Sequence, residues 1–332
     1  MTSESTRPKV VVALALARPL LDQLMECDLT IMAPGVAEDR GLGNALADAE
    51  GVLVSSNVSV DGDVMASAPN LRVISTMSVG LDHIDLDAAR ERGITITNTP
   101  VLSDAVADLT MALITMLSRR IPEAMGAVDG GGWSVPLGGD LARKQLLLVG
   151  FGRIGQAVAA RALAARMRVT YVDTRDGLPA VSGVDRAGAL AGALPDADFV
   201  SLHVDLNAKT RKLMGRQEFT LMKPTAFLVN TARGGVVDQA ALTWAVTEGE
   251  IAGAGLDVLE DEPPLADDPL VRDPHVIIVP HIGSATTETR DAMAQCAVDN
   301  LLMVLHHEGS PFVVAPNERL QPVDGGRPGE RR

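Results

Sequence analysis

Three polar side chains late in the chain each follow an apolar run. Arg233 comes after residues 226–230, Glu262 lies in the acidic loop after 252–258, and His281 follows 276–279. A guanidinium grips a carboxylate through two parallel hydrogen bonds. An imidazole titrates near neutrality and passes a proton either way. Glu262 stands out from its acidic neighbours because Pro263 and Pro264 stiffen the backbone and fix the direction of its carboxylate. Taken singly, each has an ordinary structural reading: a surface ion pair, a solvated run of acids, a packing histidine. Together they say more, because the carboxyl ends of strands in an open parallel sheet converge on one ligand site.

A fourth stretch, residues 146–173, reads LLLVGFGRIGQAVAARALAARMRVTYVD. Its apolar run at 146–149, glycines at 150, 152 and 155, alanine-rich helical spacing and second apolar run at 169–172 make one βαβ unit. Gly150 turns the chain off the strand. Gly152 lacks a Cβ where a diphosphate approaches, and Gly155 lets the helix lie close to the sheet. The amides opening that helix, at Arg153 and Ile154, together with its partial positive charge, bind the diphosphate. Asp173 closes the second strand, where a carboxylate accepts hydrogen bonds from the adenosine ribose and repels a 2′-phosphate. NAD is therefore the expected coenzyme. Arg175, two residues on, leaves NADP open as a second one.

The elements that must hold these residues follow from the hydropathy pattern. Residues 9–16 read as a first strand, 20–25 as the start of a helix, and 51–55 and 71–75 as short strands. A helix over 86–92 and a strand ending at 98–100 follow. Ser103 opens a long apolar helix reaching about Arg120, with Asp104 favourably placed in its first turn. The glycine-rich stretch 126–139, containing Trp133, reads as a loop. Beyond Asp173 come a helix near 187–194, strands at 199–204 and 226–230, a helix at 239–247, strands at 252–258 and 276–279, and a last helix at 286–307. Residues 321–332 read as a solvated tail. Strands alternating with helices predict α/β architecture, and 332 residues suffice for two domains.

Composition narrows the partners. A formal charge of −14 argues against nucleic acid and anionic membranes, and 2% aromatic content leaves few platforms for stacking bases. The chain is 46% hydrophobic, yet no apolar run is long enough to cross a bilayer. Polar residues 1–9 and the short apolar run after them do not make a signal peptide. Two cysteines far apart, Cys27 and Cys296, suit a reduced, cytoplasmic setting. An anionic substrate must then find local positive charge, which gives Arg233 its weight.

Read in order, five motifs resemble the D-isomer-specific 2-hydroxy acid dehydrogenases, particularly their glyoxylate/hydroxypyruvate reductase branch. They are Ser78-Val79-Gly80-Leu81-Asp82-His83-Ile84-Asp85-Leu86, the glycine fingerprint, Asn230-Thr231-Ala232-Arg233-Gly234-Gly235, Asp257 through Glu262-Pro263, and Pro280-His281-Ile282-Gly283-Ser284. The resemblance implies that Arg233 binds the substrate carboxylate and polarises the carbonyl. His281 is then the acid in reduction and the base in oxidation, with Glu262 hydrogen-bonded to the imidazole and favouring its protonated form. Backbone amides at Val79 and Gly80 would hold the carboxylate. Asp257 would orient the nicotinamide carboxamide, with Thr231 and Ala232 beside the ring and His203 in the coenzyme-binding segment. This agrees with the chemistry: hydride addition to a carbonyl leaves an alkoxide, which needs a cation and a proton donor at one oxygen. The resemblance further implies a Rossmann-type doubly wound domain, residues 100–284, inserted into a smaller flavodoxin-like α/β substrate domain made of 1–99 and 285–332. The active site would lie in the cleft, and the assembly would be a homodimer.

Two departures from the family pattern stand out. The usual His-x-Pro-Leu-Thr segment is here His203-Val204-Asp205-Leu206-Asn207, and the loop around Trp133 is short, without a second tryptophan. Among relatives, a formate dehydrogenase would carry glutamine for Glu262, and a phosphite dehydrogenase lysine for Val79. A phosphoglycerate dehydrogenase would bring arginine to the pocket strand that here reads Val54-Ser55-Ser56-Asn57. Ser56 and Asn57 suit a small polar substituent such as the hydroxymethyl of hydroxypyruvate. The alternatives to a glyoxylate/hydroxypyruvate reductase are a dehydrogenase of a bulkier or sulfonated 2-hydroxy acid and a non-catalytic NAD-sensing protein.

Overall fold

A computed structural model describes residues 7–33, 41–307, 310 and 312–314. The chain divides into two compact units, Met1–Val101 with Thr287–Arg332, and Leu102–Thr286.

The first unit runs β1 (Lys9–Ala13), α1 (Arg18–Gln23), β2 (Asp28–Ile31), α2 (Leu42–Ala45), β3 (Gly51–Val54), α3 (Gly62–Ala66), β4 (Val73–Thr76), α4 (Leu86–Arg92) and β5 (Thr95–Thr97). Its sheet is parallel in the order β2-β1-β3-β4-β5, the flavodoxin-like arrangement. Alternate residues of a strand face opposite sides, and the core divides accordingly. Val11, Val52, Val54 and Ile74 pack with Leu42, Leu46, Met65 and Ala89. Val10, Val12, Leu53 and Val73 pack with Leu20, Leu24, Val298, Leu301 and Leu305. The last three lie on the helix Thr287–Leu305. Local chemistry sets the ends of α4: the Asp85 carboxylate accepts from the amides of Asp87 and Ala88, and Gly93, at φ 69°, closes it in the left-handed region.

The second unit begins with α5 (Ser103–Arg119) and α6 (Ile121–Asp129), then runs β6 (Gln145–Val149), α7 (Arg153–Ala164), β7 (Arg168–Val172), β8 (Val184–Arg186), α8 (Leu190–Ala193), β9 (Phe199–Leu202), α9 (Arg216–Leu221), β10 (Phe227–Asn230), α10 (Gln239–Thr247), β11 (Gly253–Leu256), α11 (Pro269–Arg272) and β12 (Val276–Ile278). The sheet is wholly parallel, ordered β12-β11-β10-β9-β6-β7-β8. Strand order reverses around β6, which places a ligand crevice at its carboxyl end. Leu146 and Leu148 face the cluster containing Leu113, Ile114 and Val158 of α5 and α7, while Leu147 and Val149 face Leu194, Phe219 and Leu242.

Some expected elements change. The stretch read as a loop from 126 begins inside α6, because Arg120 takes φ 53° and lets a second helix start at Ile121 with Pro122 in its first turn. The helix expected near 187–194 is the short α8 followed by a 3₁₀ turn, and the three-residue strand β8 precedes it. Strand β2 had no expectation, since its residues are largely exposed and carry little apolar signal. The expected tail lies outside the described residues. Among the described residues no helix is long and apolar enough to cross a membrane.

Candidate active site

Arg233, Glu262 and His281 all lie just past the carboxyl ends of adjacent strands β10, β11 and β12. The ladder continues for one rung beyond the strands: Asp257 N–H donates to the Asn230 carbonyl at 2.9 Å, and His281 N–H to the Asp257 carbonyl at 3.0 Å. From there side chains take over. The buried Asn230 amide donates to the Arg233 carbonyl at 3.0 Å and accepts from Ala232 N–H at 3.0 Å, closing the turn that carries the arginine. Asp257, also buried, accepts from the amides of Ile282 at 2.6 Å and Gly283 at 2.9 Å. Burial raises its carboxyl above the usual range, against those two amides and the charge of His281. His281 itself has φ 52°, a conformation costing a non-glycine residue roughly 1–2 kcal/mol. The bonds made by Asp257 on both sides of it offset that cost.

Glu262 spans the site. One carboxylate oxygen accepts from Leu259 N–H at 3.0 Å, and the other lies 2.8 Å from His281 Nδ1. Burial pushes its carboxyl up. The hydrogen bonds from His281 and Leu259 and the charges of His281 and Arg233 outweigh burial and hold it below the usual carboxylate range. An ionised carboxylate only accepts, so Nδ1 carries the hydrogen and Nε2 is left for proton exchange. The imidazole is 43% exposed, enough for a substrate to reach it. Gly234 presses the two loops together: a Cβ there would lie 1.7 Å from the Leu259 carbonyl oxygen.

The glycine turn is built for a dinucleotide. Gly150 has φ 96°, and a Cβ on it would meet the His203 carbonyl oxygen at 2.4 Å. A Cβ on Gly155 would meet the Gly150 carbonyl at the same distance, so α7 sits hard against the turn. Above Gly152, by contrast, the Arg175 guanidinium alone among the described residues comes within 4 Å of that position. The amides of Gly152, Arg153 and Ile154 make no hydrogen bond among the described residues, and no side chain caps α7. Free amides, an open glycine and a helix N-terminus fit a diphosphate. Asp173 stands just beyond β7, its carboxyl held well below the usual range by Arg175, against burial and with help from Phe151 N–H.

The remaining predicted residues fall as follows. The His203 ring is buried and its pKa is pushed down to about 3 by desolvation; Nε2 meets Ser201 Oγ at 2.9 Å, while the buried Nδ1 has no partner among the described residues. Thr231 is buried with its hydroxyl 3.0 Å from Thr110 of α5, and Ala232 is half-buried. In the first unit, Ser56 and Asn57 are exposed beyond β3. Val79 and Gly80 are half-buried, and their amides make no hydrogen bond among the described residues. Among those residues no group of His, Cys, Asp and Glu is arranged to hold a metal ion. The positioning part of Asn230, and Thr110 behind Thr231, went unassigned in the sequence. The available signal was a polar residue ending or interrupting an apolar run.

Comparison with known proteins adds four findings. Residues 111–283 match the family model of the D-isomer specific 2-hydroxyacid dehydrogenase, NAD binding domain. The chain is 41% identical to a glyoxylate reductase of Thermofilum pendens over 93% of its own length and 94% of that protein. It is 40% identical to glyoxylate/hydroxypyruvate reductase B of Escherichia coli over 94% of its length and 99% of that protein. Among solved structures, an NADPH-dependent glyoxylate/hydroxypyruvate reductase from Sinorhizobium meliloti, in complex with NADP and malonate, superposes with a TM-score of 0.83 at 32% identity, covering 93% of this chain and 97% of that one.

Proposed function

Since the chain belongs to the D-isomer specific 2-hydroxyacid dehydrogenases, we propose that it interconverts a small 2-oxo acid and its D-2-hydroxy acid with NAD(H), glyoxylate or hydroxypyruvate being the oxo acid. The observation that carries this is the His281–Glu262 contact of 2.8 Å, with the charge of Arg233 acting on the same carboxylate.

In this mechanism the Arg233 guanidinium pairs with the substrate carboxylate and draws electron density from the carbonyl oxygen. When bound, the nicotinamide coenzyme supplies or takes up the hydride. His281 Nε2 gives its proton to the oxygen that gains negative charge during reduction and takes it back in oxidation. Glu262 accepts from Nδ1 and stabilises the imidazolium between turnovers. The amides of Gly152, Arg153 and Ile154 would hold the diphosphate and Asp173 the adenosine ribose. Asp257, whose oxygens already accept two backbone amides, keeps acceptor capacity for the nicotinamide carboxamide. In the first unit, the amides of Val79 and Gly80 would hold the substrate carboxylate, as the resemblance implies, and Ser56 and Asn57 would meet a small polar substituent.

A homodimer in the cytoplasm belongs to the same proposal. Its support is an apolar surface on α6 and the following loop: Met125, Val128, Trp133, Val135 and Leu137 are 54–86% exposed. Beside it lies a cavity of about 540 Å³ lined by Leu117, Pro122, Leu137 and Ile277.

The test follows NADH oxidation against a panel of 2-oxo acids. We expect glyoxylate or hydroxypyruvate to lead. His281→Ala should lower kcat by about 10²–10⁴ while NADH still binds, and Arg233→Ala should fall mainly on use of the oxo acid. Near-normal turnover in both variants would remove this site from the reaction.

A further inference from the structure

Three strand ends stand side by side at the adenosine end of the coenzyme crevice. Asp173 lies beyond β7, the glycine turn beyond β6, and His203-Val204-Asp205 beyond β9, with β6 paired to both neighbours. His203 and Val204 press on Gly150, which brings Asp205 to the edge of the turn. Arg175 reaches from the first of these strand ends toward the second. Its backbone N–H and Nε donate to Asp173 Oδ1 at 2.8 and 3.0 Å, and Nη2 donates to Oδ2 at 2.8 Å. Phe151 N–H also donates to Oδ2, at 2.8 Å. Nη2 lies 3.5 Å from the position of a Cβ on Gly152.

Each Asp173 oxygen therefore already accepts two hydrogen bonds, the full capacity of a carboxylate. The ribose hydroxyls of a dinucleotide cannot be accepted there until the guanidinium leaves. Arg186 does not replace it, since it is committed to the Asp176 carboxylate and to the carbonyls of Asp173 and Arg175. The exposed Asp205, one residue past Val204 on Gly150, is near enough for its charge to act on Arg175, and it stands at the position where the family pattern has proline.

We propose that Asp205 is a second coenzyme-selecting residue: it gives the Arg175 guanidinium a carboxylate to move to when the ribose takes Asp173, and so withholds that guanidinium from a ribose 2′-phosphate. The inference rests on the dinucleotide reading of the glycine turn. A proline at this position would leave Arg175 free to pair with the 2′-phosphate, whereas the carboxylate competes for it and repels the phosphate.

The test uses the full-length protein and its Asp205→Asn variant, each with Arg175 intact or changed to Ala. Affinities for adenosine 2′,5′-bisphosphate and adenosine 5′-monophosphate are read by calorimetry, alongside kcat/KM for NADPH and NADH. With Arg175 present, Asp205→Asn should raise the bisphosphate-to-monophosphate affinity ratio about tenfold, the scale of one charge-assisted contact to phosphate. The NADPH-to-NADH ratio should rise with it. In the Arg175→Ala background most of that gain should vanish. An unchanged ratio in Asp205→Asn overturns the inference, as does an equal gain without Arg175, which would leave Asp205 a repelling charge only. If the wild-type protein binds neither adenosine monophosphate nor NADH, the dinucleotide reading fails, and the inference with it. Binding of both with no gain in the variant sinks the inference alone.

Discussion

At the scale of single residues, the proposed mechanism depends on one carboxylate held below its ordinary range. Glu262 is held below its ordinary value of 4.5 despite burial, chiefly by His281. A carboxyl whose pKa is depressed on folding adds stability above its unfolded value, and that stability fades as pH falls through the folded one. Glu262→Gln should therefore melt below wild type at pH 7, and the gap should close as pH is lowered through and below about 4.5. Melting curves from pH 3 to 8 decide this; a gap that widens in acid would contradict it. Arg233, Glu262 and His281 were visible in the sequence because each follows an apolar run and sits beside a proline or glycine. Asn230 and Asp257 were visible only as motif letters. That they tie the arginine and histidine loops to the sheet depends on which backbone groups lie within 3 Å of them, and spacing alone does not carry that.

At the scale of elements, three loops must share a few ångströms, and glycine permits it. Gly234 is the tightest point, because the Leu259 carbonyl occupies the place of its side chain. Gly234→Ala must push apart the loops bearing Arg233 and Glu262. We expect kcat/KM for the oxo acid to fall at least about 100-fold, as for a 1 Å misplacement of reacting groups, while NADH affinity stays within a few-fold. Equal losses of both would point to unfolding of the unit instead. Long apolar strands and helices with clear caps, such as α4 and α10, were legible from end to end. Short or exposed ones were not. Strand β8 has three residues, two of them exposed, and α6 was hidden because Gly126 and the glycines after it read as loop.

At the scale of the whole molecule, periodicity gave α/β alternation, but the order of strands in each sheet came only through the family resemblance. Nothing local in β6 says that β7 and β9 flank it. The apolar patch of α6 and its loop leads to a prediction about assembly. Trp133→Glu combined with Leu137→Glu should shift the protein to a monomer in sedimentation analysis, since two charges would enter a patch whose residues are 85% and 86% exposed. An unchanged dimer would place the contact elsewhere, and a wild-type monomer would remove the patch from the argument.

The first unit is assembled from two stretches far apart in sequence, Met1–Val101 and Thr287–Arg332, and this bears on how the protein is made. Its sheet face of Val10, Val12, Leu53 and Val73 is covered by Val298, Leu301 and Leu305, which are synthesised long after those strands. At about 5–20 residues per second, roughly 10–40 s of synthesis separate the two halves. Throughout that interval a nascent chain holds a bare apolar sheet while the coenzyme-binding segment, continuous in sequence, is free to fold. Chaperone dependence in the cell should therefore fall on the amino-terminal hundred residues, and premature termination before Leu301 should send the product to aggregates.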